Sequence, residues 1–450
     1  MRWPDAEERR MNKTSNFLLD LVLVAGLGVA LVVWTKLGLT FVLAMAVLFA
    51  CWLGFSRGGR QSLSIVRIGL STLGGRLGAA SVIVIGIAGV VGVLVALLAM
   101  GEGFQATLQK TGSADTAIVL RGGSSAELNS VLDRDSVNVI EQAPGVQRDA
   151  NGKPIASAEE VVVANLPKKD DPAVSANVQL RGVGEGAWEL RPNVRIIEGR
   201  RFKPGLRELI VGQGAARQFA GLGVGHTIRL AGQDWSIVGR FAANDSHDSE
   251  LMGDLETVAS TYRRGSSVQS VTVKLTAPAA FDTFKAALLS DPRLKVEVST
   301  TRDYYSKQSE QLTKILRIVG FTVGIIMAIG AIFGALNTMF AAVTARAREI
   351  ATLRALGFRG GPVVVSILLE TMLLALLGGV LGAAIVWLAF NGYTASTLGS
   401  NFSQVVFQFK VSADLIATGL QWALAIGFVG GLFPAVRAAR LPVTTALREL

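Results

Sequence analysis

Long hydrophobic stretches alternate with polar segments along the chain. A helix needs about 20 apolar residues to cross a hydrocarbon core of roughly 30 Å. Six stretches are long enough and carry almost no charge, so the pattern predicts a membrane protein with six transmembrane helices. The stretches cover residues 17–35, 37–55, 79–100, 317–343, 362–390 and 413–436.

A polar segment of about 210 residues separates the third hydrophobic stretch from the fourth, and it is long enough for a domain with its own core. Its β-branched runs predict strands, and its amphipathic runs between turn residues predict helices, which makes the domain α+β. The predicted strands are Thr116–Leu120, Glu160–Ala164, Ala176–Arg181, Glu208–Val211, Thr227–Leu230, Trp235–Val238, Val268–Leu275 and Lys295–Val298. The predicted helices are Asp135–Ala143, Gly214–Phe219 and Ala279–Ser290.

The flanks of this segment, residues 101–111 and 301–317, lack strong helix breakers. We expect them to extend the third and fourth transmembrane helices as a stalk, with a flexible linker as the alternative. The predicted fold is therefore an α-helical transmembrane bundle with a large α+β extracytoplasmic domain on a helical stalk.

The charge distribution predicts the orientation. The formal net charge is +10, but residues 102–311 hold 25 Lys and Arg against 26 Asp and Glu, whereas the rest of the chain holds 19 against 8. The basic excess therefore lies beside the hydrophobic stretches, which is typical of cytoplasmic loops at a lipid bilayer. We expect both termini in the cytoplasm and the polar domain outside it, and no nucleic-acid partner.

The first two hydrophobic stretches are predicted to form a hairpin that turns at residues 34–37 and returns to the cytoplasm. Residues 56–78 carry four arginines among spaced apolar residues, a pattern that predicts a helix lying along the membrane surface. The single cysteine, Cys51, falls in the second stretch. The exterior domain therefore cannot hold an internal disulfide.

Sequence motifs for catalysis or nucleotide binding are absent from the chain. The nearest glycine-rich string, residues 221–227, lacks the lysine of a phosphate-binding loop and precedes a predicted strand, so we interpret it as a turn. His247 lies in an acidic stretch, residues 244–250. Oxygen ligation of a metal is one interpretation, but a solvated acidic loop is favoured because the spacing matches no known metal loop. We predict neither an enzyme nor a metal site.

Residues 337–361 are the most informative part of the sequence. Helical spacing places Ile350, Leu353 and Leu356 or Gly357 near one face, with charged residues on the others. Gly357 is also a helix stop signal. The pattern predicts a short amphipathic cytoplasmic helix, although an ordinary basic loop would have the same composition.

This segment resembles the signature of the FtsX-like permease family, which includes MacB-type macrolide exporters and lipoprotein-release permeases, grouped as type VII ABC transporters. The family pattern is an Asn near the end of a span, an Arg-x-Arg-Glu-Ile-x-x-Leu-Arg-Ala-Leu-Gly string, and a Glu with glycines in the next span. The matching residues are Asn337, Arg346, Arg348, Glu349, Ile350, Leu353, Arg354, Ala355, Leu356, Gly357, Glu370, Gly378, Gly379 and Gly382.

Two other blocks resemble the same family in the right order. The C-terminal run 434–448 is similar to its closing segment, and residues 208–239 are similar to its periplasmic core domain. The resemblance covers residues 62–450 and implies three domains there. These are a surface helix and one span (61–100), the stalk with a MacB-like core domain (101–311), and an FtsX-like permease domain with three spans (312–450). Residues 1–60, with a cytoplasmic tail and an extra hairpin, depart from the family pattern.

The resemblance also implies partners and a function. It implies a permease subunit in the bacterial cytoplasmic membrane that pairs with a second copy of itself or a homologous permease. Separate cytoplasmic ABC ATPase subunits would bind ATP and Mg²⁺, and a periplasmic adaptor or membrane fusion protein would collect substrate. ATP hydrolysis would drive export or extraction by mechanotransmission. The alternative is an FtsX-like regulator that transmits ATPase motion to a cell-wall hydrolase.

The resemblance assigns ATPase coupling to Arg346, Arg348, Glu349, Ile350, Leu353, Arg354, Leu356 and Gly357. Polar groups inside spans are a second set of candidates, because they are costly in a bilayer. This set contains Asp20, Asn337 and Glu370. We expect Asp20 at the headgroup level and Glu370 in helix packing, since Gly378, Gly379 and Gly382 follow it.

Overall fold

The computed structural model describes residues 33–34, 37–71, 77–399 and 401–440. The chain divides into two compact units. We call residues 1–99, 317–391 and 411–450 the helical unit and residues 100–316 and 392–410 the sheet unit. Asp20 and most of the first hydrophobic stretch lie outside the described residues.

The helices and strands of the described chain have the following bounds. The helices are α1 (Leu39–Phe55), α2 (Arg57–Ser71), α3 (Leu77–Thr111), α4 (Arg134–Glu141), α5 (Ala187–Leu190), α6 (Gln213–Gln218), α7 (Leu255–Thr261), α8 (Ala280–Ser290), α9 (Thr301–Ala345), α10 (Ala347–Ala355), α11 (Gly360–Phe390) and α12 (Ala413–Arg440). The strands are β1 (Thr116–Arg121), β2 (Ala156–Pro167), β3 (Ser175–Val183), β4 (Arg195–Gly199), β5 (Glu208–Gly212), β6 (Thr227–Leu230), β7 (Gln233–Ala242), β8 (Glu250–Asp254), β9 (Ser270–Lys274), β10 (Val296–Thr300), β11 (Thr394–Leu398) and β12 (Gln404–Gln408).

Four helices of the described chain, α3, α9, α11 and α12, are long and apolar enough to cross a membrane. They correspond to the last four hydrophobic stretches, whose prediction as long apolar helices is confirmed. Helix α1 passes the same test only together with α2, from which it is bent by 91°. The second hydrophobic stretch therefore forms a 17-residue helix that ends at a sharp corner.

The corner between α1 and α2 is made by Ser56 and Gly59. The Ser56 hydroxyl accepts a hydrogen bond of 2.8 Å from the Gly59 amide, which caps the first turn of α2. A Cβ atom on Gly59 would lie 2.4 Å from the Trp52 carbonyl oxygen, so only glycine allows the chain to turn so tightly. Within residues 56–78, a helix is present over Arg57–Ser71, and its place along the membrane surface stays a prediction.

Close helix contacts in the helical unit depend on small residues. A Cβ atom on Gly382 of α11 would lie 2.4 Å from the Ala88 carbonyl oxygen of α3. On the other side of α11, a Cβ atom on Gly379 would lie 2.7 Å from the Ala423 Cβ of α12. This arrangement confirms the predicted packing role of the glycines in α11.

A mixed ten-stranded sheet forms the frame of the sheet unit. Its order is β10-β1-β9-β2-β3-β8-β5-β7-β4, and β6 pairs with β7. The eight predicted strands are present, whereas β4 and β8 were not predicted. Strand β8 was missed because it follows the acidic stretch 244–250, which resembles a loop in composition.

The flanks 101–111 and 301–317 are helical, as predicted. Helix α3 continues to Thr111 and helix α9 starts at Thr301. Each flank is therefore continuous with an apolar helix, and the alternative of a flexible linker is wrong.

The stretch between α11 and α12 contains a β-hairpin. Strands β11 and β12 pair in antiparallel register from Thr394↔Gln408 to Leu398↔Gln404. Phe407 of β12 is buried and meets Phe104 edge-on at a ring distance of 5.7 Å. The hairpin therefore belongs to the core of the sheet unit.

Buried charges lie at the centre of the sheet unit. Arg181 of β3 is 1% exposed and donates hydrogen bonds of 2.7–3.2 Å to three carboxylates. These bonds use all five guanidinium N–H groups. The three carboxylates belong to Glu127, Glu159 and Glu250. We call this cluster, with Arg191, His247 and Asp245, the Arg181 network.

His247 extends the Arg181 network. Its Nε2 accepts a hydrogen bond of 3.0 Å from Arg191 Nε, which places the ring proton on Nδ1, 3.0 Å from Asp245 Oδ1. The expectation of a solvated acidic loop is wrong, because His247 is 2% and Asp245 4% exposed. Within the described residues, no group of three or more His, Cys, Asp or Glu could hold a metal ion.

The Arg181 network also controls the protonation of the Glu159 carboxyl group. Burial alone would raise the pKa of Glu159, but the nearby guanidinium groups of Arg191 and Arg181 outweigh it and lower the pKa to about 2. Glu159 therefore stays ionised at neutral pH, and its charge is balanced inside the fold.

Candidate functional site

Helix α10, with Arg346 before it and Gly357 after it, is the segment that the sequence assigned to coupling. It ends in a Schellman motif, in which the Phe358 amide bonds to the Leu353 carbonyl oxygen and the Gly357 amide to that of Arg354, each at 3.1 Å. Gly357 has a φ of +99°, which a residue with a side chain adopts at a cost. The predicted helix stop at Gly357 is confirmed.

Arg346 is turned towards the interior of the helical unit. Its Nη1 donates a hydrogen bond of 2.9 Å to Oε2 of Glu370 in α11, and both side chains are nearly buried. Its Nε lies 3.3 Å from Oε2 of Glu349. Arg346 thus joins α10 to α11, and this pair accounts for the polar group that Glu370 places in a membrane helix.

Helix α2 covers this ion pair. A Cβ atom on Gly69 would lie 3.0 Å from Glu370 Oε2 and 3.1 Å from Arg346 Nη2. Gly69 therefore lets the backbone of α2 lie directly over the pair. Three helices, α2, α10 and α11, meet at one charged contact.

The apolar side of α10 fixes it against the same neighbours. Ile350 is 8% exposed and Leu353 is half-buried. Both border a cavity of about 30 Å³ together with Ile65 of α2 and Ile367 of α11. Ile350 and Leu353 therefore share one face of α10, as predicted.

The other side of α10 is open. Arg348 and Glu349 are exposed and Arg354 is half-buried. Leu356 is 74% exposed and does not share the burial of Ile350.

The remaining polar candidates in helices differ in their surroundings. Asn337 is exposed on α9. Gln421 of α12 was not among the predicted candidates. It is 6% exposed, and its side chain donates a 3.0 Å hydrogen bond to the Leu37 carbonyl oxygen. Trp34 Nε1 donates a bond of the same length to the Gln421 carbonyl oxygen. A lone glutamine in a hydrophobic stretch was the available signal.

Helix α10 thus has two different sides. One is anchored by an ion pair and apolar packing, and the other presents charges and Leu356. Comparison with protein families identifies both halves of the chain. Residues 80–290 match the MacB-like periplasmic core domain, and residues 321–443 match the FtsX-like permease C-terminal domain.

The chain belongs to the MacB-type, FtsX-like permease family.

Curated relatives agree with this assignment. The chain is 26% identical over 388 residues to the uncharacterized ABC transporter permease YknZ of Bacillus subtilis, which covers 80% of this chain and 92% of that protein. It is 25% identical over 422 residues to the macrolide export ATP-binding/permease protein MacB of Bdellovibrio bacteriovorus, covering 87% of this chain and 61% of that one. These relatives make the chain an ABC transporter permease of a bacterial membrane, a class that implies an ATPase partner.

A solved structure also aligns with part of the chain. The extracellular domain of the noncanonic ABC-type transporter YknZ from Gram-positive bacteria has 16% sequence identity and a TM-score of 0.32. The alignment covers 41% of this chain and 100% of that domain.

Proposed function

We propose that this permease carries motion from a cytoplasmic ABC ATPase to its exterior domain and thereby exports or extracts a substrate by mechanotransmission. The observation that carries the proposal is the two-sided α10, which is anchored to α11 through Arg346 and open on the side of Arg348, Glu349 and Leu356. The open side is the proposed ATPase contact. The ATPase would bind ATP and Mg²⁺, and this chain would bind neither directly.

The anchored side explains how a push on α10 reaches the membrane helices. The bond between Arg346 and Glu370 at 2.9 Å, the Gly69 contact and the buried Ile350 hold α10 to α2 and α11. A force applied to the open side therefore moves three helices together. The continuous helices α3 and α9 would transmit this movement, since neither has a break between its apolar and polar parts.

The proposed assembly contains two permease chains, which are either two copies of this one or this one with a homologue. A periplasmic adaptor would supply the substrate. The regulatory alternative, control of a cell-wall hydrolase, predicts a hydrolase rather than an adaptor among the proteins that purify with the chain.

The test is ATPase stimulation in a reconstituted complex with the ATPase that purifies with the chain. Glu349→Lys reverses the charge of an exposed side chain that also contacts Arg346 at 3.3 Å, so we expect normal membrane insertion with stimulation reduced by about tenfold. Arg60→Glu is the control, because it reverses an exposed charge on α2 away from α10. Equal stimulation by Glu349→Lys and the unmodified chain would contradict the ATPase contact.

A further inference from the structure

A cavity of about 640 Å³ opens within the sheet unit. Its size is that of pockets that enclose drug-sized ligands. It lies between the polar part of α9, strand β1, residues 123–129 and the tip of the β11–β12 hairpin.

One face of α9 forms a wall of this cavity. The six wall residues recur at three- and four-residue intervals and so lie on one side of the helix. They are Tyr304, Lys307, Gln308, Gln311, Leu312 and Ile315. The stripe is polar in its first part and apolar in its last, so the wall changes from polar to apolar along the helix axis. Ile315 stands two residues before the hydrophobic stretch that begins at residue 317.

The polar part of the wall contains a buried side-chain donor that has no hydrogen-bond partner. Gln308 Nε2 is buried without a hydrogen-bond partner, and such a donor is costly unless something accepts from it. Lys307 is exposed, and among the described residues no carboxylate pairs with it. Glu297 of β10 also borders the cavity. The cavity thus offers one cation, one anion and one amide donor that lacks an acceptor.

Buried apolar side chains border one part of the cavity, and a residue with a strained backbone lies at its rim. Phe104, Ile118 and Leu120 are at most 4% exposed and border the cavity. Phe402 at its rim is 67% exposed and has a φ of +55°. Such a backbone conformation persists in a residue with a side chain only where its surroundings hold it. Asn177 holds it here, because its Nδ2 donates a 2.9 Å bond to the Phe402 carbonyl oxygen.

We propose that this cavity binds a single-chain zwitterionic amphiphile, of the kind that a lysophospholipid represents. Its phosphate would lie at Lys307 and accept from Gln308 Nε2, its ammonium group would face Glu297, and its acyl chain would extend towards Leu312 and Ile315. The polar-to-apolar order along α9 matches the order of head group and chain. That such a molecule is the transported substrate rests on the proposed function, whereas its binding does not.

The test is photolabelling of the full-length chain in nanodiscs, without ATPase or nucleotide, so that it is independent of the coupling proposal. The probe is lysophosphatidylethanolamine with a diazirine in its acyl chain. We expect labelling of the peptides that contain Leu312 and Ile315, and expect unlabelled lysophosphatidylethanolamine to compete for it. Labelling that does not saturate, like that of any lipid-facing surface, would overturn the proposal.

Variants separate the head-group contacts. Lys307→Gln should weaken binding by roughly tenfold, whereas Lys314→Gln, on the same helix but away from the cavity, should leave it unchanged. Glu297→Gln should weaken binding of the zwitterionic probe but strengthen that of an anionic lysophosphatidylglycerol probe. Glu310→Gln is its control. Equal affinities for Lys307→Gln and Lys314→Gln would refute the proposal.

Gln308→Leu distinguishes a ligand contact from a structural role. It removes a buried donor that has no partner, so the melting temperature should not fall. Binding of the probe should nevertheless weaken about fivefold. A fall in melting temperature with unchanged binding would show that Gln308 is structural and would count against the head-group position.

Discussion

Each unit contains a cluster built around a buried or nearly buried arginine, and the two clusters differ in how the charge of the arginine is paired. Arg181 is sealed within its unit, and all five of its donors bond to carboxylates of the same chain. Arg346 is nearly buried beside Glu370, but it adjoins Glu349, whose side chain is 53% exposed. The first cluster can only hold a fold together. The second joins an internal pair to an exposed side chain, as the proposed transmission of a partner's contact requires.

The comparison predicts that the largest effect follows from Arg181→Met. Removing the guanidinium leaves three buried carboxylates without their shared cation, so we expect a loss of about 3–5 kcal/mol in the stability of the sheet unit. Thermal unfolding and limited proteolysis of the full-length chain measure this. The control is Arg293→Met, which removes an exposed pair with Asp291 and should leave stability nearly unchanged. Similar losses in both variants would break the comparison.

A smaller effect is expected for Arg346→Met. It leaves Glu370 without its partner and should destabilise the helical unit by about 1–3 kcal/mol. The double variant with Glu370→Gln removes both charges and should recover part of this loss, as a coupling term in a double-mutant cycle. Unfolding in detergent measures all three variants. Strict additivity would mean that the 2.9 Å bond contributes nothing and that α10 is held by apolar packing alone.

The smallest effect concerns two adjacent glutamates of β2. Burial raises the pKa of Glu160 from 4.5 to about 7 against the opposing attraction of Arg264. The folded state then retains a proton that the unfolded state loses, so stability falls as the pH rises from about 4.5 to 7. Glu160→Gln should remove this slope and raise the melting temperature slightly above pH 7.

Glu159 has the opposite sign and provides the matched control. Its pKa is lowered to about 2, so its stabilisation is present above pH 4.5 and is lost as the pH falls towards 2. Glu159→Gln should therefore lower the melting temperature at neutral pH. Melting curves from pH 4 to 9 compare the two variants. Equal shifts in the same direction would contradict the opposite protonation of these neighbours.

Short-range patterns in the sequence predicted the helices whose length and ends depend on neighbouring residues in the chain. Apolar length alone located α3, α9, α11 and α12, and the glycine at 357 predicted the end of α10. The contacts of Arg346 and His247 were not predictable in this way, because they join residues far apart in the chain. Arg346 bonds to a residue 24 positions away, and His247 bonds to one 56 positions away.

The main error in the sheet unit has a physical cause. Composition indicated a solvated acidic loop at residues 244–250, but His247 and Asp245 are buried. Whether a charged or apolar side chain is exposed depends on which other segments cover it, and only the folded chain fixes that. The Arg at 181 and the Glu at 159, placed in or beside strands of buried apolar residues, were the signals from which the Arg181 network could have been suspected.

Because α9 is long and unbroken, a small change in its angle would produce a large displacement at its far end. Its 45 residues, at a rise of 1.5 Å each, make a rod about 68 Å long. A tilt of about 5° at one end displaces the other by about 6 Å, because a rigid rod magnifies angle into distance in proportion to its length. A displacement of that size exceeds the rise of a full helical turn, about 5.4 Å, so a tilt that barely changes the direction of α9 would move its far end by more than one turn.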